Sequence, residues 1–291
     1  MLLRAEPIVH NPFVFQLGPL AVTGFGIAVL LGFFIGQIIG ERELARRGHD
    51  PSPITDVVFA AVLGFLVGAK IYYAILVGDW HAIFSRGGFV FWGGLIGGIL
   101  GGAIAVRLRR VGFNHVADVA GPGIAAGYAV GRTGCWAVGD DYGRPWSGPL
   151  AVQFPHGAPP STAANLHTQF GVALPPGLAP DAVLAVHPTQ LYETAMGLVM
   201  FLILWRLRDH EHAEGWLFGA YMVLAGVERF LVEFVRAKDD RFFGPLTTAQ
   251  VLSVGFVIAG AAWMYWKRRP APGAPGIHAG RAQAAATAAA A

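Results

Sequence analysis

Residues 131–144 read Gly-Arg-Thr-Gly-Cys-Trp-Ala-Val-Gly-Asp-Asp-Tyr-Gly-Arg, and their place at the end of an apolar run decides how the chain is read. An arginine at membrane depth costs about 2.5 to 3.5 kcal/mol on insertion scales, so Arg132 is a functional-site candidate by default. The glycine loop that follows carries Asp140, Asp141 and Arg144 toward the same place. That combination signals a polar pocket opening at a membrane surface.

Composition sets the same class. Of the 291 residues, 54% are hydrophobic, only 13% are charged and 40 are glycine, with a mean hydropathy of +0.51. Soluble domains carry about 25% charged residues, and glycine lets helix backbones approach closely in lipid. A net charge of +3 is too small to point to nucleic acid. The single cysteine, Cys135, excludes an internal disulfide. Residues 1–16 lack the basic, apolar, small-residue progression of a signal peptide.

Apolar runs of about 20 residues are read as spanning helices. Seven are expected, at about 18–40, 55–78, 88–106, 115–136, 188–206, 215–236 and 249–266. Basic residues follow every odd-numbered run: Arg42, Arg46 and Arg47; Arg107, Arg109 and Arg110; Arg206 and Arg208; Lys267, Arg268 and Arg269. The opposite loops are mixed in sign, with Asp79 and Arg86, then Lys238, Asp239, Asp240 and Arg241. Cytoplasmic loops hold the excess of lysine and arginine. The expectation is an all-α integral membrane protein with seven transmembrane helices. Its amino terminus lies outside, its carboxyl terminus is cytoplasmic, and segment 140–187 forms a small outward-facing head between helices four and five. Short strands such as 150–154 fit that head. Residues 1–269 then form the membrane domain, and the Pro-, Gly- and Ala-rich 270–291 read as a disordered cytoplasmic tail.

Polar residues inside the runs carry the chemistry. Arg229, Glu233 and Arg236 are spaced i, i+4, i+7 and stack on one helical face. A structural ion pair that locks helices together is the plain explanation. The functional one is favoured because Arg132 reaches the same outer leaflet, and two guanidinium forks match a phosphate. The abundant phosphate there is a phospholipid head group. His187, Gln190, Tyr192 and Glu193, in His187-Pro-Thr-Gln-Leu-Tyr-Glu193, add proton-handling groups at the same surface. No metal is expected, since there is neither an HExxH nor a second cysteine. Gly93-Gly-Leu-Ile-Gly-Gly98 lacks the context of a phosphate loop and reads as tight helix packing.

These pieces resemble the bacterial prolipoprotein diacylglyceryl transferase family over about residues 17–266. The family signature of Gly-Arg-x-Gly, an acid eight positions after the arginine and a glycine three further on is met by Gly131, Arg132, Gly134, Asp140 and Gly143. Runs 187–193, 229–236 and Gly244-Pro-Leu-Thr-Thr-Ala-Gln250 match as well. The chain departs from the pattern at Trp92, where many members carry histidine; at Phe25, where tyrosine is usual; and at Cys135, where asparagine is frequent.

The resemblance implies a multi-pass enzyme of the bacterial inner membrane. It would transfer a diacylglyceryl group from phosphatidylglycerol to the lipobox cysteine thiol of a prolipoprotein signal peptide, form a thioether and release glycerol phosphate, with no cofactor. Arg132 and Arg229 would bind phosphate, Glu233 would hold Arg229, and Asp140, His187 or Glu233 would take the thiol proton. Gly143, Arg144, Gln190, Tyr192, Glu193, Cys135, Trp92 and Phe25 would line the lipid site. Two other readings stay open at this point: a paralogous phospholipid-dependent transferase with another acceptor, and a non-catalytic phospholipid-binding or transport protein.

Overall fold

The computed structural model describes residues 6–269 apart from 19, 86, 87, 211, 239 and 240. The tail expected over 270–291, and Arg86, Asp239 and Asp240 of the loop charges, lie outside the described residues. Seven long helices follow the apolar runs: α1 (Gly24–Arg46), α2 (Ser52–Val77), α3 (Phe91–Leu108), α4 (Phe113–Val138), then, beyond the short α5 (Ala163–Thr168), α6 (Thr189–Leu207), α7 (Trp216–Val232) and α8 (Thr248–Trp266). Three of them, α1, α2 and α8, are long and apolar enough to cross a membrane by length and composition. The chain is a mostly helical, multi-pass membrane protein.

The first helix corrects the expected 18–40. Residues before Gly24 form a hairpin, β2 (Val14–Leu17) against β3 (Leu20–Thr23), after a two-residue β1 (Ile8–Val9). Gly18 sits at the turn with φ 59, the left-handed region open to glycine. At its other end α1 runs on to Arg46, because its charged last turns neutralise themselves. The Glu43 carboxylate accepts from Arg46 Nε at 2.7 Å and Arg47 Nε at 3.0 Å.

The described residues fall into two compact units. One comprises residues 37–123 and 212–216 with 267–269, and so holds α2, α3 and the facing halves of α1 and α4. Its α2–α3 contact is built on Gly64 and Gly68 against Gly93, Gly97 and Gly101. A Cβ on Gly97 would collide with the Gly64 carbonyl oxygen, and one on Gly101 with that of Ala60. The glycines of span three are therefore packing residues. Leu44, Ile54, Val106, Val116 and Val119 form this unit's buried core.

The other unit comprises residues 6–36, 124–210 and 217–266. It contains the later part of α4, all of α6 and α8, nearly all of α7, and the 140–187 segment. That segment supplies β4 (Val152–Gln153) and β5 (Ala185–Val186), which with β1 make a three-stranded sheet in the order β1-β4-β5. Tyr142, Phe154, Leu166, Val172 and Val186 are its buried core. The Tyr142 and Phe154 rings stack with centroids 5.3 Å apart. This packed head fixes both ends of the loop that follows α4.

Candidate functional site

α4 ends at Val138, and Gly139, with φ 71, reverses the chain. Asp141 then adopts φ 55. Two left-handed residues with Asp140 between them turn neighbouring carboxylates in different directions. The loop is pinned from α6: Thr189 Oγ1 donates to the Asp141 carbonyl at 2.6 Å, and Gln190 Nε2 donates to that of Asp140 at 2.5 Å. It is pinned again from the end of α7, where Arg144 Nε donates to the Arg236 carbonyl at 3.0 Å.

Glu193, on α6, is the hub. Its side chain is 1% exposed and accepts from Arg132 Nη2, while Arg236 Nη1 approaches at 3.4 Å and Arg229 Nη1 at 3.7 Å. The Tyr128 hydroxyl donates to Glu193 at 3.3 Å and to Glu228 at 3.0 Å. Asp141 joins two of the arginines, accepting from Arg132 Nη1 at 2.9 Å and Arg236 Nη2 at 2.8 Å. Glu233 pairs with Arg229 at 2.8 Å, as the i, i+4 spacing implied. Three guanidiniums thus meet three carboxylates. Arg132 is 12% exposed, whereas Arg229 is 33% exposed.

The loop carboxylates differ in electrostatics. Burial works to raise the Asp141 carboxyl, but the Arg236 and Arg132 guanidiniums outweigh it and hold it at about 2. Burial and the neighbouring Asp141 charge push Asp140 up to about 6. Asp140 Oδ1 is buried without a hydrogen-bond partner among the described residues. It is an acceptor with proton affinity near neutrality, beside the Cys135 thiol. Burial lowers His187, whose ring stacks on Trp146 at 4.3 Å and whose Nδ1 lies 3.4 Å from the Tyr192 hydroxyl.

Of the expected site residues, Arg132, Glu193, Arg229 and Glu233 are joined directly, and Cys135 touches Arg132. Asp141 is the loop acid that pairs with Arg132. Gln190 and Arg144 grip backbone carbonyls. Gly143 is where the loop meets His187 and the segment after α7, since a Cβ there would collide with the Val235 carbonyl and the His187 side chain. Cys135 is buried, its Sγ 3.1 Å from Arg132 Nη1. Phe25 lends its backbone to close packing on Gly134 while its ring is exposed. Trp92 belongs to the other unit, at the start of α3. Cys135, Asp140 and Asp141 also bring three donor atoms within 4.8 Å, but a cation there would face the guanidiniums that already neutralise Asp141.

Sequence reasoning missed Tyr128 and left Arg236 out of the site. Tyr128 had a signal, since it precedes Arg132 by one helical turn. The helical face expected through Arg236 is corrected: α7 ends at Val232, not 236, and Arg236 lies beyond it in a bridge to Gly143.

Residues 12–266 match the family described as prolipoprotein diacylglyceryl transferase. A relative from Bordetella bronchiseptica is 32% identical over 277 residues, covering 89% of this chain and 96% of its own. One from Chromohalobacter salexigens is 31% identical, covering 89% and 93%. One from Xanthomonas oryzae pv. oryzae is 33% identical, covering 89% and 92%. Each is named phosphatidylglycerol–prolipoprotein diacylglyceryl transferase.

Proposed function

The chain belongs to the prolipoprotein diacylglyceryl transferase family, and from that premise we propose that the cluster around Glu193 is where its transfer reaction takes place. The reaction moves a diacylglyceryl group from phosphatidylglycerol to a prolipoprotein cysteine. The acceptor sulfur attacks the glyceryl carbon that bears the phosphate, forming a C–S bond as the C–O bond breaks. The electron pair leaves on the phosphate oxygen, so a singly charged diester becomes a more highly charged glycerol phosphate. Stabilising that added charge is the main task of the site.

The observation that carries this reading is the convergence of three guanidiniums on one buried carboxylate, with one of the three, Arg229, left a third exposed. Arg229 takes the phosphate, held in position by Glu233. Arg132 and Arg236 act from behind, their geometry set by Glu193 and Asp141. Because the thiolate is the nucleophile, a base must accept the thiol proton. Asp140 suits that role best, as the loop carboxylate left without an arginine partner.

Seven helices span the bacterial inner membrane, with the amino terminus and the 140–187 head outside and the carboxyl terminus in the cytoplasm. The basic ends of α1, α3, α6 and α8 support this orientation. The acceptor is the lipobox cysteine of a signal peptide presented at the outer face. The test incubates purified protein with phosphatidylglycerol and a lipobox peptide. The peptide should gain the diacylglyceryl mass, and a peptide with serine in place of cysteine should not. Product no greater than that of Arg132→Ala would refute the assignment.

A further inference from the structure

The end of α3 carries three arginines with different fates. Arg109 is ion-paired with Asp56, whereas Arg107 and Arg110 have no side-chain partner among the described residues. Both line two adjoining cavities of about 570 Å³ and 440 Å³. No acidic residue is among the described lining of either cavity. The remaining walls are apolar and open: Ile104 is 58% exposed, Leu108 76% and Phe113 58%.

The backbone holds this arrangement at a conformational cost. Val111 N donates to the Val106 carbonyl and Arg110 N to that of Arg107, both at 3.2 Å. This paired closure ends a helix with its next residue in the left-handed region. That residue is Arg110, with φ 55, where glycine fits without strain. The α3 dipole would favour a basic residue in the last turn. It does not account for an arginine in left-handed geometry, nor for two unpaired guanidiniums at the same cavities. Non-glycine residues held in this region point toward function.

We propose that this groove binds an anionic phospholipid of the leaflet in which α3 ends, with the lipid phosphate between Arg107 and Arg110. The first acyl methylenes lie on Ile104, Leu108 and Phe113. Those apolar walls select a lipid over free phosphate, and the guanidinium pair selects an anionic over a zwitterionic head group. Assigning the cytoplasmic leaflet rests on the orientation proposed above; the site itself does not.

Native mass spectrometry of the full chain, titrated with phosphatidylglycerol, tests the proposal. Arg107→Gln/Arg110→Gln should retain one anionic lipid fewer than the wild type, its affinity there weakened on the order of 30-fold. Arg109→Gln should retain the wild-type number. Arg132→Ala should lose a different lipid, and the combined variant both, so failure at either site is read separately. An unchanged count in the double glutamine variant would overturn the proposal, as would equal retention of phosphatidylcholine or displacement of the lipid by inorganic phosphate. Arg107→Lys/Arg110→Lys, which keeps both charges but not the forks, should recover part of the binding.

Discussion

Arg132 on α4 donates through Nη2 to Glu193 on α6, a carboxylate only 1% exposed. This contact decides how the cluster works. Glu193 gathers Arg132, Arg229 and Arg236 before any lipid arrives, so the positive field need not be assembled during the reaction.

Glu193→Gln keeps the shape of the hub and removes its charge. Truncating one partner of a buried ion network costs about 3–5 kcal/mol, so the thermal midpoint should fall sharply and activity with it. A second change, Arg132→Gln, should restore part of the loss, with a coupling of about 0.5–3 kcal/mol in a double-mutant cycle. Additive losses would mean that the two residues do not act through each other.

Lysine substitutions should separate the arginines. Arg229→Lys loses the bidentate fork at the exposed position, so kcat/KM for phosphatidylglycerol should drop about tenfold or more while the thermal midpoint changes little. Arg132→Lys should lower both, since Arg132 bridges Asp141 and Glu193. Thermal unfolding and initial rates on the same preparations check the pair.

The loop acids predict a pH dependence. Asp140 lies at about 6 and Asp141 at about 2. The contribution of Asp140 to stability is therefore full below the ordinary carboxylate range and is lost as pH rises through about 6. That of Asp141 is present above the ordinary range and is lost as pH falls toward about 2. Activity runs the other way for Asp140, because only its ionised form can accept the thiol proton. Thus kcat/KM should rise with pH through about 6, and Asp140→Asn should abolish that limb. A limb that survives in Asp140→Asn would move the base elsewhere.

The α2–α3 contact predicts a purely structural effect. Gly97→Ala places a methyl against the Gly64 carbonyl, and overpacking of this kind costs about 1–3 kcal/mol. Unfolding should shift to lower temperature with no change in KM for phosphatidylglycerol.

Much of this was legible in the chain, for identifiable reasons. The apolar runs located the seven long helices among the described residues, and the i, i+4 spacing located the Arg229–Glu233 pair. The start of α1 was misplaced because the apolar hairpin strand Leu20–Thr23 reads like a helical turn by hydropathy. Which loop acid pairs with Arg132 was not legible. It depends on backbone angles at Gly139 and Asp141 that sequence spacing does not encode. The convergence of Tyr128, Glu193 and Arg236 joins two helices and the segment that follows α7, far apart in the chain. Only the packed structure states which faces meet.

The most direct measurement is a single-turnover reaction of phosphatidylglycerol with a lipobox peptide, following thioether and glycerol phosphate together in the wild type and in Arg229→Ala. The account predicts equal amounts of both products from the wild type and a rate at least about a hundredfold lower in a folded Arg229→Ala, an effect typical of removing one transition-state donor. Wild-type rates in that variant, or glycerol phosphate released without thioether, would contradict it.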